Sequence, residues 1–163
     1  MGLTNLGIFH TIIGILAIVA ALTSFVRYGK INLAVLSGKI YFYGTIIASL
    51  TALGISKRGG FNPGHAFALF IFVLVVAAFY LYSRKKGNTN ARFVENFCLS
   101  FSFLLSLVPT VAETFQRVPL GHPLANDPAD PLIGKTLLVL FILFVVGSVC
   151  QFRSQKKINT LGK

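Results

Sequence analysis

The chain has 163 residues, of which 55% are hydrophobic and only 12% charged, and its mean hydropathy is +0.77. A soluble domain of this length has too little interior to hide so much apolar surface, so lipid must act as the solvent for much of it. The net charge of +11 is then a topology signal and an attraction to anionic headgroups, and nucleic-acid binding is set aside.

About 20 helical residues cross roughly 30 Å of hydrocarbon, and five segments suit that length. The first, 6–26, carries no charge. It lacks a basic leader and is longer than a signal-peptide core, which predicts an uncleaved anchor. The second is apolar from 33 to 55, but Ser37, Gly38 and Lys39 interrupt its start, which places its membrane entry at Ile40. The third spans 64–82. The fourth, 93–115, is more polar, with Glu95, Asn96 and Glu113 near its ends and Pro109 inside, and is expected to be a kinked helix. The loop 118–131 contains Pro119, Pro123, Pro128 and Pro131 and reads as a semi-rigid cap over the outer ends of the spans. The fifth span is 132–152. The expected fold is therefore an all-α integral membrane protein, a single bundle of five transmembrane helices.

Charge fixes the orientation expected for that bundle. Arg27, Lys30 and Lys39 follow span one, Arg84, Lys85, Lys86 and Arg92 follow span three, and Arg153, Lys156, Lys157 and Lys163 follow span five. These are 11 of the 15 basic residues, all in alternate segments. Basic residues stay in the cytoplasm, so the N-terminus is expected outside and the C-terminus inside. The bilayer, with anionic headgroups on its cytoplasmic side, is the first expected partner, and a second copy or another membrane protein the next. Cys98 and Cys150 fall near cytoplasmic helix ends and read as small apolar residues, not as a disulfide.

The chain has no Gly-rich phosphate loop, no zinc-type cysteine pair and no nucleophile elbow, and nothing in it establishes catalysis. Its informative residues are the rare polar ones near the spans. Glu95, Cys98, Ser102, Ser106, Pro109 and Glu113 follow one another at steps of three or four, and Arg117 continues the series. That spacing places them on one helix face. The stripe reads either as a seam that lets helices approach and bond, or as a hydrophilic path for protons or a small solute.

All three histidines fall on the outer side in the five-span arrangement. His10 lies one turn inside span one, in line with Gly14, Ala17 and Ala21. His65 opens span three, His122 sits in the outer loop, and Glu113 shares that side. Histidines and carboxylates at one face are ligands for a transition metal, and two histidines on facing helices can hold haem. The candidate site is His10, His65, His122 and Glu113, and no local His-x-x-x-His spacing accompanies it.

Four short motifs carry a family resemblance. They are Phe9-His10-Thr11-Ile12, Gly38-Lys39-Ile40-Tyr41, Arg58-Gly59-Gly60-Phe61 ahead of His65, and Glu113-Thr114-Phe115-x-Arg117-x-Pro119. In order and content they resemble a family of small bacterial predicted membrane proteins of unknown function. The resemblance implies a polytopic protein of the bacterial cytoplasmic membrane and supplies no activity. A broader related group often carries a His-Arg pair ahead of the Gly and Tyr of span two, where this chain has Leu36-Ser37. Three functions stay open: a metal- or haem-binding protein with its site outside, a proton or small-solute carrier using span four, and a non-catalytic accessory subunit.

Overall fold

A computed structural model describes residues 4–55, 60–85, 87–119 and 121–161. Lys86 and Lys163 of the charge pattern, Arg58 and Gly59 of the Arg-Gly-Gly-Phe motif and Leu120 of the Pro-rich loop lie outside them. Five helices follow in chain order: α1 (Asn5–Tyr28), α2 (Leu36–Leu53), α3 (Pro63–Arg84), α4 (Thr89–Phe115) and α5 (Pro131–Leu161).

Local chemistry sets their ends. Thr4 caps α1 by accepting the Gly7 N–H at 3.1 Å, and Gly29, at φ 67°, closes it in the left-handed conformation that glycine adopts without penalty. α3 begins at an Asn-Pro step: the Asn62 side chain accepts the His65 N–H at 3.2 Å, and Pro63 takes the first turn, where its missing N–H costs nothing. Asn88 caps α4 through the Ala91 N–H at 3.0 Å, and Asp130 starts α5 by accepting the Leu132 N–H at 2.9 Å ahead of Pro131. α4 continues through Pro109.

Four helices, α1, α3, α4 and α5, are long and apolar enough to cross a membrane. α2 is the shortest, with 18 residues or about 27 Å. Large apolar side chains such as Ile12, Leu16, Phe70, Val73, Leu138 and Phe141 are exposed around the outside of the bundle. That distribution would be ruinous in water and is ordinary in lipid. The chain is a polytopic integral membrane protein.

Each helix packs mainly on its chain neighbours, most closely α1 on α2. Ala17, Ala20 and Ala21 of α1, Tyr41 and Phe42 of α2, Ile71, Val75 and Ala78 of α3, and Cys98 and Leu99 of α4 form the core. Alanines stand in it beside the larger side chains, and between membrane helices such small residues give the close backbone approach that supplies attraction in place of water exclusion. α4 is buried only from Ala91 to Leu104. α5 leans on α4, and among the described residues Ile133 is its one buried side chain.

Three boundaries differ from the sequence expectation by four residues or more, and the first is the start of α4, at Thr89 instead of 93, where the Asn88 cap begins the helix. α2 starts at Leu36, four residues before the expected entry, because Lys39 is exposed and costs the helix nothing there, while Gly38 is buried against the α1–α2 turn. α5 runs on to Leu161, past 152, because a helix need not stop where lipid does. The Pro-rich loop is tied back to α4: Ala125, its one buried side chain among the described residues, donates its N–H to Phe115 O at 3.0 Å.

Candidate functional site

The stripe on α4 divides into two halves. Glu95, Cys98 and Ser102 are buried, whereas Pro109 and Glu113 are exposed where α4 leaves the other helices. Glu95 accepts from Arg92 at 2.8 Å, and the Arg92 guanidinium also covers the Tyr82 ring at 5.5 Å. Ser102 makes the central contact. Its hydroxyl lies 2.7 Å from the Tyr41 hydroxyl of α2 and donates to Leu99 O at 2.8 Å, so Tyr41 donates to Ser102. Ser106 donates to Ser102 O at 2.9 Å and Thr110 to Ser106 O at 2.7 Å. Each serine proton therefore ends on a carbonyl of its own helix. A helix-joining seam matches that pattern, and a hydroxyl relay along α4 does not. Glu113 and Arg117 pair on the surface, Nε to Oε2 at 2.6 Å, where such pairs contribute little.

The candidate ligand set separates. His10 Nδ1 lies 3.1 Å from Ala48 O and 3.1 Å from Thr51 Oγ1 of α2. The Thr51 proton is directed to Ile47 O or Ala48 O, so Nδ1 carries the histidine proton and Nε2 keeps its lone pair. His65 is buried; its Nε2 lies 3.2 Å from Ile55 O, and its Nδ1 accepts the Asn62 N–H at 3.4 Å in the capping box. Both its ring nitrogens are thus engaged. The structure brings His10 and His65 to the same end of α2. It leaves His122 exposed in the loop and Glu113 with Arg117. Among the described residues no three His, Cys, Asp or Glu side chains come together as a metal site would require. Cys98 is buried, as a small apolar residue would be, and Cys150 is exposed on α5.

Sequence reasoning missed a second polar face of α4. Asn96 Nδ2 donates to Gln155 Oε1 at 3.3 Å, and Ser100 Oγ donates to Gln151 Oε1 at 3.0 Å. Asn96 and Ser100 are four residues apart, as are Gln151 and Gln155, and they pair in reverse order across antiparallel helices. That matched spacing was the available signal. A third polar lock, also missed, lies at the α1–α2 turn: the buried Ser24 hydroxyl donates to Lys30 O at 3.0 Å and accepts the Asn32 N–H at 2.9 Å. Burial pushes the Lys30 ammonium below the ordinary lysine range, Glu95 opposes that shift and Arg92 adds to it.

Comparison with protein families, with curated proteins and with solved structures finds no match to this chain. No family is identified, and what stands of the resemblance is a multi-helix protein with four helices that can span a membrane.

Proposed function

We propose that this chain is a five-span bundle of the cytoplasmic membrane, N-terminus out and C-terminus in, that works as a non-catalytic accessory subunit. The observation that carries the reading is where its polar groups go. Tyr41 with Ser102, His10 with Ala48 and Thr51, His65 with Ile55 and Asn62, and Asn96 and Ser100 with Gln155 and Gln151 all serve to join or end helices. Such residues in a transporter or enzyme converge instead on a substrate path. The five-span topology is supported by direction. The start of α1 meets the end of α2 through His10, the end of α2 meets the start of α3 through His65, and α4 meets α5 in reverse order. With α2 counted as a span, Arg27, Lys30, Arg84, Arg92, Arg153 and Lys156 gather at one end, as the cytoplasmic rule requires, where anionic headgroups are their partners.

The test is a set of measurements on protein in nanodiscs made directly from native membranes. The reading expects one membrane protein retained in fixed stoichiometry, and that partner is still retained when His10→Ala or His65→Ala lowers the melting temperature. It also expects no proton flux in sealed vesicles. A Soret band or stoichiometric metal that is lost in His10→Ala would overturn it in favour of a ligand on His10 Nε2, the second reading. Flux abolished by Glu95→Gln would overturn it in favour of a carrier. Fusion reporters at Gly54 and at the C-terminus check the topology, with Gly54 outside and the C-terminus inside.

A further inference from the structure

The interface between α4 and α5 contains a crevice of about 70 Å³, lined by Phe93, Asn96, Phe97, Ser148, Gln151 and Phe152. Two of the lining residues each carry a buried polar atom with no hydrogen-bond partner among the described residues: Asn96 Oδ1, on a side chain only 5% exposed, and Ser148 Oγ. Leaving such a group unmet costs the folded chain its full desolvation penalty, and buried polar atoms are satisfied in the great majority of cases. The neighbouring atoms do not meet that need. Asn96 Nδ2 donates to Gln155 and Gln151 Oε1 accepts from Ser100, and neither is hydrogen-bonded to the unmet atoms.

We infer that this crevice is a binding site for a neutral hydroxyl group, held between Asn96 and Ser148 with the ring of Phe97 beside it. Asn96 Oδ1 requires a donor, and Ser148 can donate or accept. A hydroxyl does both, so the assignment holds even if the Asn96 amide is turned end for end. The volume is ample for a water or a hydroxymethyl group. Two sources supply that chemistry. One is water entering from the nearby end of the bundle. The other is the glycerol headgroup of an anionic lipid, whose phosphate would lie near Arg153 and Lys156, on the turn of α5 after Phe152.

The experiment uses the full chain with Ser148→Ala, a change too small to threaten folding, and Asn96→Leu. Radiolytic footprinting in phosphatidylcholine nanodiscs reports water, because hydroxyl radicals formed in a trapped cluster label the adjacent Phe97. Native mass spectrometry after reconstitution in equal phosphatidylglycerol and phosphatidylcholine reports lipid. A water source predicts Phe97 labelling that falls several-fold in both variants. A lipid source predicts retained phosphatidylglycerol that is lost in both variants, with phosphatidylcholine unaffected. Labelling and lipid retention that are both the same in wild type and variants would overturn the inference. In that case the crevice is dry, and Ser148→Ala should raise the melting temperature by removing an unmet hydroxyl.

Discussion

The α1–α2 and α4–α5 contacts join neighbouring antiparallel helices with opposite materials. α1 and α2 meet through Ala17 and Gly44, so closely that a Cβ on Gly44 would lie 3.1 Å from the Ala17 Cβ, and Gly38 of α2 packs as closely on Asn32 in the turn that joins them. α4 and α5 meet through rings, Phe93 stacked on Phe152 at 4.5 Å and Phe144 tilted against Phe97 and Phe101 at 5.8 and 5.7 Å, with amide and hydroxyl pairs between them. Small residues give backbone contact with no slack. Rings give area but hold the helices apart, and the crevice beside Asn96 is the space left over. The first contact is therefore intolerant of added atoms and the second tolerant of them.

Alanine at two glycines tests this most severely. Elsewhere in a helix, glycine to alanine gains roughly 1 kcal/mol. At Gly38 the new methyl would fall on the backbone carbonyl of Asn32, which no side-chain rotation can relieve. Gly38→Ala should cost about 3 kcal/mol or more, seen as loss of monodisperse protein in detergent. Nothing lies within 4 Å of a Cβ on Gly147 of α5. Gly147→Ala should thus gain up to about 1 kcal/mol. Equal melting temperatures for the two variants would erase the contrast.

Next in size is the bond that ties α2 to α4. A double-mutant cycle on Tyr41→Phe and Ser102→Ala should return a coupling between about 0.6 and about 1.7 kcal/mol, the range for hydrogen bonds between membrane helices. It belongs at the upper end because both groups are fully buried. The matching cycle on Ser100→Ala and Gln151→Leu should return about 0.6 kcal/mol, since Gln151 is only half-buried. If the second coupling exceeded the first, α5 would be a core helix in energy despite its exposure.

How much of this was legible beforehand differs between fold and site. The helices were legible because apolar runs of about 20 residues have few alternatives in lipid, and Asn62-Pro63 and Asp130-Pro131 announce their own helix starts. The α4 stripe was legible as spacing, and its meaning depended on Tyr41, a residue of another helix that no spacing on α4 reveals. The histidines were legible as sharing one side, and counting them there says nothing about ring direction. His65 turns to Ile55 O because α2 has ended at Leu53 with Gly54 as its C-cap, a stop that lies inside the apolar run 33–55. Asn96 and Gln155 look like ordinary residues at a membrane edge until the register of α4 on α5 pairs them.

The smallest effect lies in the turn between α1 and α2, where Lys30 faces Glu95 and Arg92 of α4. Burial lowers the pKa of Lys30 in the folded chain from the ordinary lysine value of 10.5. Between the folded and unfolded values the unfolded chain holds more protons, so stability must rise with pH across that window and level off near 10.5. The sign is opposite to that of a lysine stabilised by its partner, even though Glu95 is close, because desolvation outweighs the attraction. Half-burial and solvent screening keep the gain below about 1 kcal/mol. Melting temperature measured from neutral pH upward should climb more in wild type than in Lys30→Met. The variant should also start higher, because it never carries the buried charge. A variant that starts lower would mean that Glu95 wins, and that this turn is fastened to α4 by charge as well as by the close packing around Gly38.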